Sequence, residues 1–320
     1  MFDVTAIGEL LIDFTPAGIN KCGDQLFARN AGGAPANVLA ANSKLGGKTA
    51  FIGKVGNDDF GNFLKKTLDK YKIYTEGLVI SHKINTTLAF VQLNEQGERS
   101  FSFYRKPGAD MMLEFNEVKK DLVTNCNILH FGSVSLTNEP ARGATFQTVN
   151  FAKKQGKIIS YDPNYRPLLW NSVEEAKDQM IEGLKLADIV KVSEEEMILL
   201  TGEKDLVKGS QILAQNGASL ILVSLGEKGA FYRKGDSCNI IPSYTVNTID
   251  TNGSGDAFLG AVHYRLRKKS LCHIQKISKE ELEDIIRFAN AAGALTTTKK
   301  GAIPALPSLE EIKNVMNMFS

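Results

Sequence analysis

The chain has 320 residues, 43% of them hydrophobic, which is enough for one large α/β unit or two average domains. Its 38 Lys and Arg nearly cancel its 36 Asp and Glu, leaving a net charge of +2. That balance argues against the concentrated positive face of a sequence-independent nucleic-acid binder.

At the start, Met1-Phe2-Asp3 lacks a basic segment, and Asp3, Glu9 and Asp13 interrupt the apolar run. Neither a secretory signal nor a membrane span is expected there. Cys22, Cys126, Cys238 and Cys272 are scattered, with no C-x-x-C pair and no zinc spacing. Two N-x-[ST] matches, at Asn85 and Asn252, matter only in a secretory compartment. A cytoplasmic location is expected.

Short β-rich runs alternate with helical periods, the texture of a mostly parallel sheet flanked by helices. Val4–Glu9 reads as the first strand, and Asp13–Asn30 as part of a separate small sheet. A helix follows over Ala36–Leu45, opened by Pro35 and closed by Gly46-Gly47. After a strand at Ala50–Lys54, the residues Phe60, Phe63, Leu64, Thr67, Leu68 and Tyr71 form one apolar helical stripe. Leu88–Leu93 and Ser100–Arg105 alternate as half-exposed strands joined by the turn Asn94-Glu95-Gln96-Gly97. With Asp13–Asn30 they are expected to form a lid, built from about 13–30 and 84–113, inserted in a single 1–320 domain. So thin a sheet cannot bury both faces. Exposed Leu88, Phe101 and Phe103 are therefore expected to pair it with a second copy as a homodimer. Strands are expected at Ile128–Gly132, Lys157–Tyr161, Ile189–Val192, Ser219–Ser224 and Ala230–Arg233, with a strand-like run at Tyr244–Ile249. The basic run Arg265-Leu266-Arg267-Lys268-Lys269 reads as cations closing a helix C-terminus. A long helix, Glu280–Thr297, turns rich in small residues after Ala289.

Four loops carry candidate chemistry. Asp250-Thr251-Asn252-Gly253-Ser254-Gly255-Asp256-Ala257-Phe258 opens a helix with the apolar face Phe258, Leu259, Val262 and Leu266. Glycines flanking a small residue let consecutive N–H groups converge at a positive helix end, an anion site suited to phosphate. Asp256 reads equally as an N-cap or as a base for an attacking hydroxyl. Gly32-Gly33-Ala34-Pro35-Ala36-Asn37 permits close backbone approach to a ligand, or is simply a tight turn. Asp162-Pro163-Asn164-Tyr165-Arg166-Pro167 follows a strand end, where open α/β sheets bind ligands. Ser224-Leu225-Gly226-Glu227-Lys228-Gly229 lies between two strands and reads as a nucleotide cover or a plain hairpin turn. Gly46-Gly47-Lys48-Thr49 lacks the leading glycine of a P-loop, and no G-x-G-x-x-G follows a strand. His82, His130, His263 and His273 show no ligand spacing.

Together these segments resemble the ribokinase-like, or phosphofructokinase-B, family of sugar kinases, from Gly8-Glu9 to Gly301-Ala302-Ile303-Pro304. Four pieces resemble fructokinases most: Gly8–Phe14, Gly32–Asn37, Asp162–Arg166 and Ser193-Glu194-Glu195-Glu196. The Asp-x-Asn-x-Arg and Phe-Tyr-Arg elements are shared with 2-keto-3-deoxygluconate kinases. The resemblance implies a mostly parallel sheet flanked by helices, with a small β lid that often forms a dimer contact. It implies ATP-dependent conversion of fructose to fructose 6-phosphate, with Asp256 as base and Gly253, Ser254 and Gly255 as anion hole. Asp13, Gly33, Asn37, Arg105 and Arg166 match sugar-holding positions; Ser193, Ser224, Gly226, Gly229 and Asn290 match the nucleotide side. Glu196 matches the residue that organises Mg²⁺ and phosphate, and Asp250, Asn252 and Gly301 match a monovalent-cation site, expected to take K⁺. Ser254 stands where Ala is usual, Ser193 where Asn is, and Asn252 where Thr is common. A 2-keto-3-deoxygluconate kinase is the alternative. A non-catalytic sugar-binding regulator and a Rossmann-type oxidoreductase carry less, given Asp256 with its anion hole and the missing dinucleotide fingerprint.

Overall fold

The computed structural model describes residues 1–93 and 99–318. In chain order the strands are β1 (Phe2–Ile7), β2 (Leu11–Ile19), β3 (Gln25–Gly32), β4 (Thr49–Gly56), β5 (Ile73–Ser81), β6 (Leu88–Leu93), β7 (Arg99–Tyr104), β8 (Cys126–Gly132), β9 (Ile158–Asp162), β10 (Ile189–Ser193), β11 (Leu220–Ser224), β12 (Ala230–Lys234) and β13 (Ser237–Ile241). The helices are α1 (Ala34–Lys44), α2 (Asp59–Lys70), α3 (Lys120–Thr124), α4 (Ala141–Lys154), α5 (Val173–Leu184), α6 (Glu194–Thr201), α7 (Leu206–Ala214), α8 (Ser254–Leu266), α9 (Leu271–Lys276), α10 (Lys279–Thr296) and α11 (Leu309–Met318).

Among the described residues, a nine-stranded sheet runs in the order β13-β12-β11-β10-β9-β8-β1-β4-β5. It is parallel from β5 to β11, and β12 and β13 return antiparallel at one edge. Both faces are covered, as parallel strands require. Val4, Ile128, Ile158 and Ile189 pack with α1, α8 and α10, while Ile7, Leu129, Ile159 and Val190 pack with α3 to α7. The alternation along each strand thus assigns every side chain to one layer.

The sequence missed both edge strands and over-read one run. β5 is half exposed, with Glu76 and Gly77 breaking its apolar pattern, and β13 is short and polar. Tyr244–Ile249 forms no strand: it lies beyond the sheet edge, where Ile249 N–H reaches only the Thr297 carbonyl (2.7 Å). No described helix is long and apolar enough to cross a membrane.

The second sheet has the order β3-β2-β6-β7, with β2 and β6 parallel and the outer pairs antiparallel. Leu11, Asp13, Val91 and Phe103 on one face line a cleft against the main body. The opposite face carries an aromatic row, with Phe14 stacked on Phe90 (4.7 Å) and Phe27 and Tyr104 each 5.6 Å from Phe90. The apolar residues expected at its surface are therefore partly different ones. Leu88 packs on the main core and Phe103 faces the cleft, whereas Tyr104 is 66% exposed. The side chain of Phe101 and the turn Asn94-Glu95-Gln96-Gly97 lie outside the described residues. After β7, Ala109 and Leu113 are buried, and Leu113 already belongs to the main core.

Candidate active site

The cleft between the two sheets collects the C-terminal end of β9, the start of α1 and the start of α8. Gly253 enters α8 in a left-handed conformation (φ 73°, ψ 1°), making Ser254, Gly255 and Asp256 the first helical turn. The first helical hydrogen bond is made by Ala257 N–H to the Gly253 carbonyl (2.8 Å). The Gly255 and Asp256 N–H groups precede it and are the helix's open donors. Ser254 N–H turns back to the Thr251 carbonyl at 3.3 Å. Asp256 is thus not the N-cap: it sits three positions in, and Gly253 occupies the cap with no side-chain hydrogen bond.

What holds Asp256 is side-chain chemistry. Asn37 Nδ2 donates to its Oδ2 at 2.8 Å and Asn164 Nδ2 approaches its Oδ1 at 3.4 Å. The residue is 7% exposed, and burial pushes its carboxyl above the usual range. The Asn37 hydrogen bond, Lys191 and Arg166 pull the other way, while Glu196 adds to the rise. Asn37 Oδ1 is buried without a partner among the described residues.

Asp13, Gly33, Asn37 and Arg166 line the same cleft as Asp256. Gly33 has φ 118°, and a Cβ there would run into the Glu9 carbonyl, so this turn admits only glycine. Glu9, which the sequence left without a role, receives the Ala34 N–H at its Oε1 (2.8 Å). Its Oε2 is buried without a partner among the described residues, and burial pushes the carboxyl up to about 7. Burial likewise pushes Asp13 up to about 6, with Arg166 opposing.

Arg105 is placed differently from the sequence expectation. It is 6% exposed and does not line the cleft. Its guanidinium pairs with Asp110 (2.7 Å) and donates to Thr137 Oγ1 (2.8 Å) and the Val134 carbonyl (3.1 Å). Its fork is spent inside the protein.

The residues matched to the nucleotide sit along the neighbouring strand ends. Ser193 and Ser224 are register partners at the ends of β10 and β11. Gly226 and Gly229 shape the β11–β12 turn, both with positive φ. Asn290 donates to the carbonyls of Ile241 (2.9 Å) and Pro242 (3.0 Å), so α10 is tied to the chain leaving β13. Ser193 and Glu196 form a capping box on α6, and Glu196 also receives the Tyr165 N–H at 2.6 Å. Both Glu196 oxygens are thus held by backbone donors. Among the described residues, no three His, Cys, Asp or Glu side chains gather as a metal site. Asp250 receives the Asn252 N–H (3.0 Å) and the Gly301 N–H (2.9 Å), binding together the two loops matched to the monovalent cation.

Sequence reasoning also missed Lys191, which pairs with Asp162 at 2.9 Å beneath α8. Its signal was visible: a lysine inside the apolar run Ile189–Val192.

A doubly covered parallel sheet, a smaller sheet over its strand ends and a carboxylate at a glycine-opened helix define a sugar kinase. Residues 1–309 match the pfkB family carbohydrate kinase, and the chain belongs to that family as an ATP-dependent sugar kinase. It is 44% identical over 310 residues to Fructokinase-2 of Oryza sativa subsp. japonica, covering 96% of this chain and 91% of that protein. Among solved structures, the ATP-bound fructokinase of Xylella fastidiosa superposes with a TM-score of 0.93 at 33% identity, covering 100% of this chain and 99% of that one. The Vibrio cholerae O395 fructokinase, solved with fructose, ADP and calcium ion, gives 0.88 at 36% identity, covering 98% of each chain.

Proposed function

We propose that this kinase transfers the γ-phosphoryl of ATP to the 6-hydroxyl of D-fructose, forming fructose 6-phosphate. One observation carries the choice of sugar. With Arg105 neutralised by Asp110, the cleft presents Glu9, Asp13 and Asp256 against Arg166 as its lining cation. A neutral polyol suits that balance; 2-keto-3-deoxygluconate would bring a further carboxylate and find one guanidinium instead of two. The fructokinase relatives point the same way. Coupled ADP release tests the reading: fructose drives turnover, and ribose and fructose 6-phosphate drive far less.

In this mechanism Asp13 and Asn37 hold the sugar under the second sheet, which acts as the lid and keeps water from the donor. Asp256, steered by Asn37 and Asn164, takes the proton of the attacking hydroxyl. The open N–H groups of Gly255 and Asp256 face the charge growing on the transferred group. Mg²⁺ bound with the ATP phosphates would supply countercharge. With both its oxygens bound to backbone N–H groups, Glu196 would hold such an ion only through water or phosphate.

The Asp250 bridge between Asn252 and Gly301 fits a monovalent cation that fixes the loop entering α8. K⁺ is expected to activate over Na⁺; equal rates in K⁺, Na⁺ and a large organic cation at constant ionic strength would remove this role. The aromatic row on the outer face of the lid fits a second copy of the chain. Light scattering at micromolar concentration is expected to give a dimer, and a monomer would contradict it.

A further inference from the structure

β10 is a central parallel strand buried on both faces, the setting in which a lysine is least expected unless paired. Lys191 nevertheless occupies its middle, 6% exposed, on the face that packs against α8. Its ammonium lies 2.9 Å from Asp162 Oδ2. It also stands 2.9 Å from where a Cβ on Gly255 would be. The missing side chain at Gly255 therefore does more than open a turn: it lets the ammonium rest against the first turn of α8.

That location is unfavourable by itself. A helix N-terminus is already positive, and a cation placed there is destabilising rather than capping. Asp162 alone does not account for it, since an apolar pair would fill two buried positions at less cost than an ion pair. The placement is useful if negative charge is to arrive at that helix end. Asp13 from β2, Asp162 from β9, Arg166 from the loop after it, Lys191 from β10 and Glu196 from α6 are the charged groups around Asp256. Lys191 is the buried cation in this set, with Arg166 at the exposed rim. The surrounding carboxylates hold its ammonium protonated.

We propose that Lys191 is a positioning residue for phosphoryl transfer: through the bare Gly255 backbone, its buried ammonium adds positive potential at the N-terminus of α8, beside Asp256. The proposal rests on the assignment of Asp256 above. An Asp256→Asn variant with near wild-type turnover would remove that assignment first.

Two variants test Lys191 itself. Lys191→Met leaves Asp162 unpaired, so its Tm falls. Its kcat is expected to drop at least about tenfold, and KM for fructose far less. The acid limb of its kcat–pH profile moves up, because removing a nearby cation makes a carboxylate harder to ionise. Lys191→Met/Asp162→Asn removes both charges and separates packing from catalysis: Tm recovers while kcat stays low. If Lys191→Met does not fold, the double variant decides. Wild-type Tm and kcat together in the double variant, while Asp256→Asn is inactive, would reduce Lys191 to the partner of Asp162. So would an unmoved acid limb at unchanged kcat in Lys191→Met.

Discussion

Asp256→Asn is expected to lower kcat by about 10²–10⁴-fold, the usual worth of a positioned general base. The asparagine oxygen still accepts from Asn37, so the side chain stays in place and sugar affinity changes far less. Stability responds in the opposite direction to activity. Burial holds the Asp256 carboxyl above its ordinary value, so the ionised form weakens the fold at pH above that raised value. A neutral asparagine escapes this penalty, and Tm at neutral pH stays equal or rises; the difference closes as pH falls and Asp256 protonates. Near wild-type turnover in this variant would leave Asp256 a structural residue.

Asp13→Ala is the second large effect. A carboxylate accepting two sugar hydroxyls makes charge-assisted hydrogen bonds of about 1.5–3 kcal/mol each, so kcat/KM for fructose should fall by about 10²–10⁴-fold, mostly through KM. The wild-type enzyme carries a corollary in its pH dependence. Asp13 is pushed up to about 6 by burial, and protonation removes its acceptor capacity. KM for fructose should therefore rise as pH falls through about 6, before the acid limb of an ordinary carboxylate is reached. A KM that stays flat across that interval, or an Asp13→Ala variant with unchanged KM, would take Asp13 out of the sugar site.

The main sheet and the loop that opens α8 were legible because their signals are local. Parallel strands read as apolar runs, and the glycines of Gly253-Ser254-Gly255 announce a backbone that must come close to something. Partners set by tertiary register were not legible. The sequence shows Arg105 and Asp110 but not that a short turn brings the carboxylate onto the guanidinium, out of the cleft lining. It shows Glu9 but not that one oxygen is spent on Ala34 and the other has no partner among the described residues beside the cleft. Tyr244–Ile249 has strand composition, yet among the described residues no neighbouring strand receives it. Asp256 reads equally as a cap or a base from its spacing; Gly253, entering left-handed, takes the cap and leaves Asp256 to Asn37 and Asn164.

The most direct test of the account is the ratio of kcat/KM for fructose to that for 2-keto-3-deoxygluconate, measured by coupled ADP release. Both compounds offer a primary hydroxyl to Asp256, so the ratio isolates the far end of the cleft, where one carries neutral hydroxyls and the other a carboxylate. Arg105 locked on Asp110 and the carboxylates of Glu9 and Asp13 predict a ratio of about 10² in favour of fructose, well short of the 10⁴–10⁵ limit for rejecting an analogue because Arg166 still receives part of the acid's charge. A ratio below one would show that the cleft selects the acid, and the assignment to fructose would be wrong while the assignment to an ATP-dependent sugar kinase stood.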